Sequence, residues 1–190
     1  VFSLHYGAGN HVALRRSIFS SFALIGIVTL ILNVVVFIWL DPILRLLQVP
    51  QDIYGMMRSY LWIIFCGIVF TFIYNFYASL LRAVGDSVTP LWFLAVSVVL
   101  NIALDLFFIL QLDWGIQGAA AATVLAQGVA ALGIIIYTYR RRPELRWHHE
   151  DMCFDRTCLK EIASFSTLTC VQQSVMNLGI LMIQGLVNSF

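Results

Sequence analysis

Long apolar runs separated by short polar connections make up most of this chain. The runs cover residues 17–40, 60–81, 91–112, 116–139 and 162–190. A helix needs about 20 apolar residues to cross a bilayer, so the pattern predicts an all-α, polytopic transmembrane helix bundle. The connections carry the expected punctuation. Gly7 and Gly9 suit the cap of a preceding helix, with a loop running on to Arg15 and Arg16. Asp41-Pro42 is expected to end the first span, because proline cannot continue a helix. Residues 41–57 then form an amphipathic connection at the interface. Gly85-Asp86 marks a turn, and Ser87, Thr89 and Pro90 suit a helix start. The second and third spans are therefore expected to form an antiparallel hairpin. Asp113-Trp114-Gly115 reads as a tight turn between the third and fourth. All four prolines fall in connections on this reading.

Composition agrees with the pattern. The 190 residues are 61% hydrophobic and 11% charged, where a soluble domain carries about 25% charged residues. The apolar runs are too long for barrel strands. The chain opens on Val1 and ends at Phe190 inside an apolar run, so it reads as a piece of a longer protein. Net charge is only +1, but the positions of the basic residues are informative. With loops alternating sides, one side holds Arg15, Arg16, Arg82, Arg140, Arg141, Arg142, Arg146, Arg156 and Lys160; the other holds Arg45 and Arg58. The richer side is cytoplasmic by the positive-inside rule. Cys66 and Cys170 fall within apolar runs and read as small core residues. Cys153 and Cys158, just after His148 and His149, fit no compact zinc spacing and read as part of a solvated loop.

Polar residues inside the runs are few. Asp105 is the one acid among them, and a carboxylate at that depth costs several kcal/mol unless paired, hydrated or protonated. Such groups mostly bind an ion or a proton, and none of the spans holds a lysine or arginine in its interior to pair with it. Asn101 lies four residues earlier, on the same helix face. Thr123 and Gln127 share a face of the fourth span, which is otherwise rich in glycine and alanine and suited to close helix approach. The turn at 113–115 is expected to make the third and fourth spans close neighbours, with Asp105 and Thr123 at similar depth. Asn75, Gln127, Asn33 and Gln172 read as cavity-lining residues or helix-to-helix bonds. Arg82 and Asp86 read as a pin at the cytoplasmic hairpin.

Three segments taken in order, LRAVGDSVTP at 81–90, NIALD at 101–105 and WGIQGAAAATVLAQ at 114–127, resemble the multidrug and toxic compound extrusion (MATE) family. The family turn is Leu-Arg-Gly-x-Gly-Asp-x-x-x-Pro, and Ala83 stands here for its first glycine. The resemblance implies part of a twelve-helix, two-lobe transporter. Residues 1–139 would be the end of helix two and helices three to six, 140–161 the cytoplasmic interlobe linker, and 162–190 the first helix of the second lobe. It also implies a cation site for Na⁺ or H⁺ made by Asn101 and Asp105 with Thr123, together with an acid on helix one. No cofactor is implied beyond the coupling ion, and no enzymatic activity. The partners expected are small organic cations or drugs and membrane lipid, with no nucleic acid and a monomer as the complete state. Two other readings compete with an ion-coupled drug exporter. A lipid-linked oligosaccharide flippase of the same superfamily would need a cationic cavity, and a non-transporting assembly subunit would pair Asp105 with a base. The spans supply neither.

The charge distribution generates a direct test. A membrane-impermeant thiol reagent added to intact cells should leave Cys153 and Cys158 unlabelled, and rapid labelling of either would invert the orientation.

Overall fold

The computed structural model of the chain describes residues 2–46, 50–145 and 156–187. Its elements are α1 (Phe2–Gly7), α2 (His11–Leu46), α3 (Gln51–Ala83), α4 (Val88–Leu110), α5 (Gly115–Arg141), a 3₁₀ turn (Pro143–Leu145) and α6 (Arg156–Val187). No strand occurs among the described residues. Among the described residues four helices are long and apolar enough to cross a membrane: Val12–Arg45, Gln51–Ala83, Val88–Leu110 and Gly115–Arg141. The fifth expected span is helical as α6, but it is not among these four. Ser164, Ser166, Thr167, Gln172 and Gln173 dilute its apolar run.

The helices are longer than the apolar runs. The first does not stop at Asp41-Pro42; α2 carries Pro42 inside it and continues to Leu46. Proline forfeits one hydrogen bond there, yet the extra turn keeps Leu44 on the face of Leu40, and both are buried. Most of the expected interfacial connection is therefore helix, shared between the end of α2 and the start of α3. Asp41 ties those ends together. Its carboxylate accepts from Arg58 Nε at 2.9 Å and from Tyr54 Oη at 3.0 Å. The pair is about half exposed, so it adds at most about 1 kcal/mol and acts mainly as a register mark. Pro50 precedes α3, and Pro90 lies in the first turn of α4, where a missing N–H costs nothing.

On the arginine-rich side, one device ends a helix and starts the next, twice. Gly9 and Gly85 have φ of 68° and 90°, a conformation only glycine adopts freely. Around Gly85 the Asp86 N–H bonds Leu81 O and the Gly85 N–H bonds Arg82 O. Around Gly9 the Asn10 N–H bonds His5 O and the Gly9 N–H bonds Tyr6 O. Both are Schellman closures. The next residue then caps the following helix. Asn10 Oδ1 accepts the Ala13 N–H at 3.1 Å, and Asp86 Oδ1 accepts the Thr89 N–H at 3.1 Å. The loop expected to reach Arg16 is thus only residues 8–10. Asp86 also accepts from Thr89 Oγ1 at 2.8 Å and from Tyr137 Oη at 3.4 Å, and lies 3.9 Å from Arg142. The expected pin therefore reaches the end of α5 through Asp86, while Arg82 bonds Ser79 on its own helix.

Packing centres on α5. It lies against both α3 and α4, whereas α3 and α4 touch each other only slightly. The hairpin expected from the short turn is opened by α5, because α5 offers the small residues. Gly118, Ala120, Ala122, Ala126, Ala130 and Ala131 are buried on it. A methyl at Gly67 of α3 would overlap Val124, and one at Gly133 of α5 would meet Phe93 of α4. The largest apolar cluster lies toward the arginine-rich end, where Leu14, Ile18, Phe76, Leu80, Leu81, Ile134 and Leu145 meet. Elsewhere the large apolar side chains face outward, Ile27, Leu30 and Ile38 on α2 and Trp92, Val99 and Leu106 on α4 among them. Cys66 and Cys170 are exposed rather than core residues.

The close approach predicts opposite outcomes for two similar changes. Gly67→Ala should destabilise by about 1–3 kcal/mol through overpacking against Val124. Gly128→Ala meets Phe70 only at 3.8 Å and should be neutral or stabilising by up to about 1 kcal/mol; thermal unfolding of the purified protein in detergent distinguishes them. Asp86→Ala should cost about 1 kcal/mol of cap stability in the same assay, and Asp86→Asn, which keeps the accepting oxygen, only a few tenths.

Candidate functional site

Of the cavities beside α3, two share the wall made by its residues Thr71 and Asn75. The smaller, about 270 Å³, lies among α3, α4 and α5 and gathers the polar residues Thr71, Tyr74, Asn75, Ser97, Asn101, Thr123 and Gln127 among Leu94, Val98 and alanines in its wall. The larger, about 580 Å³, lies among α2, α3 and α6, where Phe72, Phe76 and Phe165 line it with aliphatic residues and a few hydroxyls.

Each wall of the polar cavity is built from a helical repeat of four. On α4 the positions are Ser97 and Asn101, continued by Asp105; on α5, Thr123 and Gln127; on α3, Thr71 and Asn75. Residues four apart stack on one helix face. Asn101 Nδ2 donates to Thr123 Oγ1 at 3.3 Å, across the α4–α5 contact. Thr123 Oγ1 in turn donates to Ala119 O at 3.0 Å, inside its own helix. Thr71 Oγ1 donates to Gln127 Oε1, across the α3–α5 contact. Asn75 Nδ2 donates to Thr71 O at 2.8 Å, and Tyr74 Oη donates to Pro90 O at 2.8 Å. The cavity thus contains amides and hydroxyls but no formal charge in its wall.

Asp105 lies one turn beyond Asn101 on α4. It is half-buried and is not part of the cavity wall. Its Oδ1 is closed off from solvent and has no hydrogen-bond partner among the described residues. Thr123 bonds Asn101 and not Asp105. In the turn between them, α4 ends at Leu110 and α5 begins at Gly115, with Asp113 at φ 54° and Trp114 N–H bonded to Phe108 O. Aspartate tolerates that left-handed conformation better than most residues.

The other expected lining residues divide. Asn75 and Gln127 line the polar cavity, and Asn75 lines the apolar one too. Asn33 lines neither; its Nδ2 donates to Phe65 O at 2.8 Å and joins α2 to α3. Gln172 is exposed on α6 and lines neither cavity. Lipid-level amides serve helix pairing as readily as cavities, and sequence spacing does not separate the two. Thr71 and Ser97 are site residues that the sequence reading does not pick out, and Tyr74, which reads from sequence as an interfacial anchor, lies in the cavity wall. The spacing of four from Thr71 to Asn75 and from Ser97 to Asn101 was the available signal. His148, His149 and Cys153 lie outside the described residues, as does the side chain of Cys158.

Comparison with known proteins agrees with this architecture. A family model described as MatE matches residues 1–107. The probable multidrug resistance protein YpnP of Bacillus subtilis is 45% identical over 54% of this chain and 23% of its own length. YoeA, a probable multidrug resistance protein of the same species, is 33% identical over 75% of this chain and 32% of its own. The probable multidrug resistance protein NorM of Thermotoga maritima is 29% identical over 93% of this chain and 39% of its own. The chain therefore spans between about a quarter and two-fifths of these relatives. Among solved structures, the inward-facing conformation of a multidrug resistance MATE family transporter of the MOP superfamily superposes with a TM-score of 0.79 at 23% identity, over 85% of this chain and 37% of that one. Its outward-facing conformation gives 0.77. With a matching family model over more than half its length and the same helical fold, this chain belongs to the MATE family.

Proposed function

We propose that this chain is part of a secondary active exporter that moves drugs or other cationic, amphipathic organic compounds out of the cell in exchange for Na⁺ or H⁺. It is a multi-pass plasma-membrane protein of a transporter family. Residues 1–139 belong to one lobe on this reading, 140–161 to the interlobe connection and 162–190 to the second lobe. The protein acts as a monomer and not as an enzyme, with no cofactor besides the coupling ion.

The observation that carries the reading is the buried, unpartnered Oδ1 of Asp105, one turn from the Asn101–Thr123 pair. An orphaned carboxylate oxygen within a bilayer span is costly, and an ion or proton removes that cost. Sodium takes oxygen ligands: the Asp105 carboxylate, Asn101 Oδ1 and the remaining lone pair of Thr123 are the oxygens on offer. A proton instead turns Asp105 into a neutral donor. Either event changes the local charge by one unit, and it shifts the outward- and inward-facing populations only as far as the ion binds one better. The aromatic 580 Å³ cavity suits an apolar or amphipathic compound. Neither cavity has a lysine or arginine in its wall, which supports an exporter of cations over a flippase of anionic lipid-linked sugars.

The test is efflux of an organic cation from energised vesicles under separate sodium and proton gradients. Asp105→Asn should insert and fold yet lose gradient-driven efflux. Loss of a charged partner worth about 1.5–3 kcal/mol weakens ion affinity by about ten-fold to a hundred-fold. Thr123→Ala removes one neutral oxygen and should weaken it by about two- to ten-fold. The defect should appear as lost sodium dependence or lost pH dependence, whichever ion couples. Full gradient-driven efflux by Asp105→Asn would show the carboxylate to be structural.

A further inference from the structure

The two cavities share part of their walls. Thr71 and Asn75, one turn apart on α3, line both the polar cavity and the apolar one. They are the partition between the region of Asn101 and Thr123 and the region suited to an organic compound. On the polar side the partition is joined to α5 by the bond from Thr71 Oγ1 to Gln127 Oε1. Gln127 lies one turn along α5 from Thr123 and lines the same cavity. Gly67, one turn before Thr71, is packed against Val124, so α3 and α5 are closest beside this bond.

We propose that the Thr71–Gln127 hydrogen bond couples ion occupancy to the substrate cavity, with Thr71 and Gln127 as positioning residues. This rests on the exporter reading above. The chemistry is a competition for one oxygen. Gln127 Oε1 accepts the Thr71 hydroxyl. A cation at Asn101 and Thr123, or the proton that neutralises Asp105, changes the potential in that cavity and with it the attraction on the Gln127 carbonyl dipole. When Gln127 turns, Thr71 loses its acceptor. Its hydroxyl then faces the apolar cavity or bonds back to the carbonyl of Gly67, four residues earlier, as threonine does in helices. The partition thereby presents a different polar surface to a bound organic cation. No charge crosses the partition, and no bond is formed or broken except hydrogen bonds.

The experiment measures the coupling factor itself, the ratio of substrate affinities with and without the ion. Thermodynamic linkage requires the same factor in both directions. The probe is ethidium, a fluorescent organic cation, bound to the intact transporter in detergent. It is titrated with sodium chloride against choline chloride at fixed pH, and over a pH series without sodium. Wild type should show a factor of about five or more for one of the two ions. Thr71→Val, which keeps the shape and removes the hydroxyl, should bring the factor close to one; Thr71→Ser should restore it. Gln127→Leu should uncouple to the same extent, and the double variant no further, because both remove one interaction. A wild-type factor in either Thr71→Val or Gln127→Leu would overturn the relay and leave the exporter reading standing. Additive losses in the double variant would also overturn it. A wild type insensitive to both ions would sink the exporter reading and the relay with it.

Discussion

The rest of the structure depends on how closely α5 approaches its neighbours. Small residues along α5, and Gly67 facing it, let three backbones come together where Leu or Phe would hold them apart. Within a bilayer the hydrophobic effect does not drive helices together, so packing and inter-helix hydrogen bonds must do so. Close backbones are also what bring short polar side chains within reach of each other. The Asn101–Thr123 bond and the Thr71–Gln127 bond both cross contacts made by α5. With larger residues on α5 these groups would stand apart in a medium that offers no water in exchange.

The polar groups are thus arranged as a consequence of packing. Three helices each contribute residues spaced by four, and α5 satisfies partners on both sides. Most of the amides and hydroxyls find one another or a backbone carbonyl. On α4 the carboxylate of Asp105 has one oxygen closed off and unpartnered among the described residues.

At the arginine-rich end the constraint is different. Water is at hand, the apolar cluster of Leu14, Phe76, Leu81, Ile134 and Leu145 is dense, and the connections are as short as helix caps allow. A left-handed glycine followed by Asn10 or Asp86 closes one helix and opens the next. Asp86 further joins the α3–α4 turn to Tyr137 and Arg142.

The apolar runs alone determined that the chain crosses a membrane, because backbone groups in hydrocarbon must be paired within a helix. The one acid within them pointed to Asp105, since its cost is local and depends on no partner. Glycine and Asx spacing determined the turns, again a local matter. Tertiary structure decided what depends on neighbours. Burial of Leu44 carried α2 through Pro42, which propensity alone would have stopped. Small residues placed α5 between α3 and α4, although the shortness of the 84–87 turn suggested a direct pair. The α4–α5 contact gave Thr123 to Asn101 as a hydrogen-bond partner instead of Asp105. Asn33 became a helix-to-helix bond and not a cavity wall, because the polarity of a single residue does not fix which way it faces. Only the pairing of whole helix faces does.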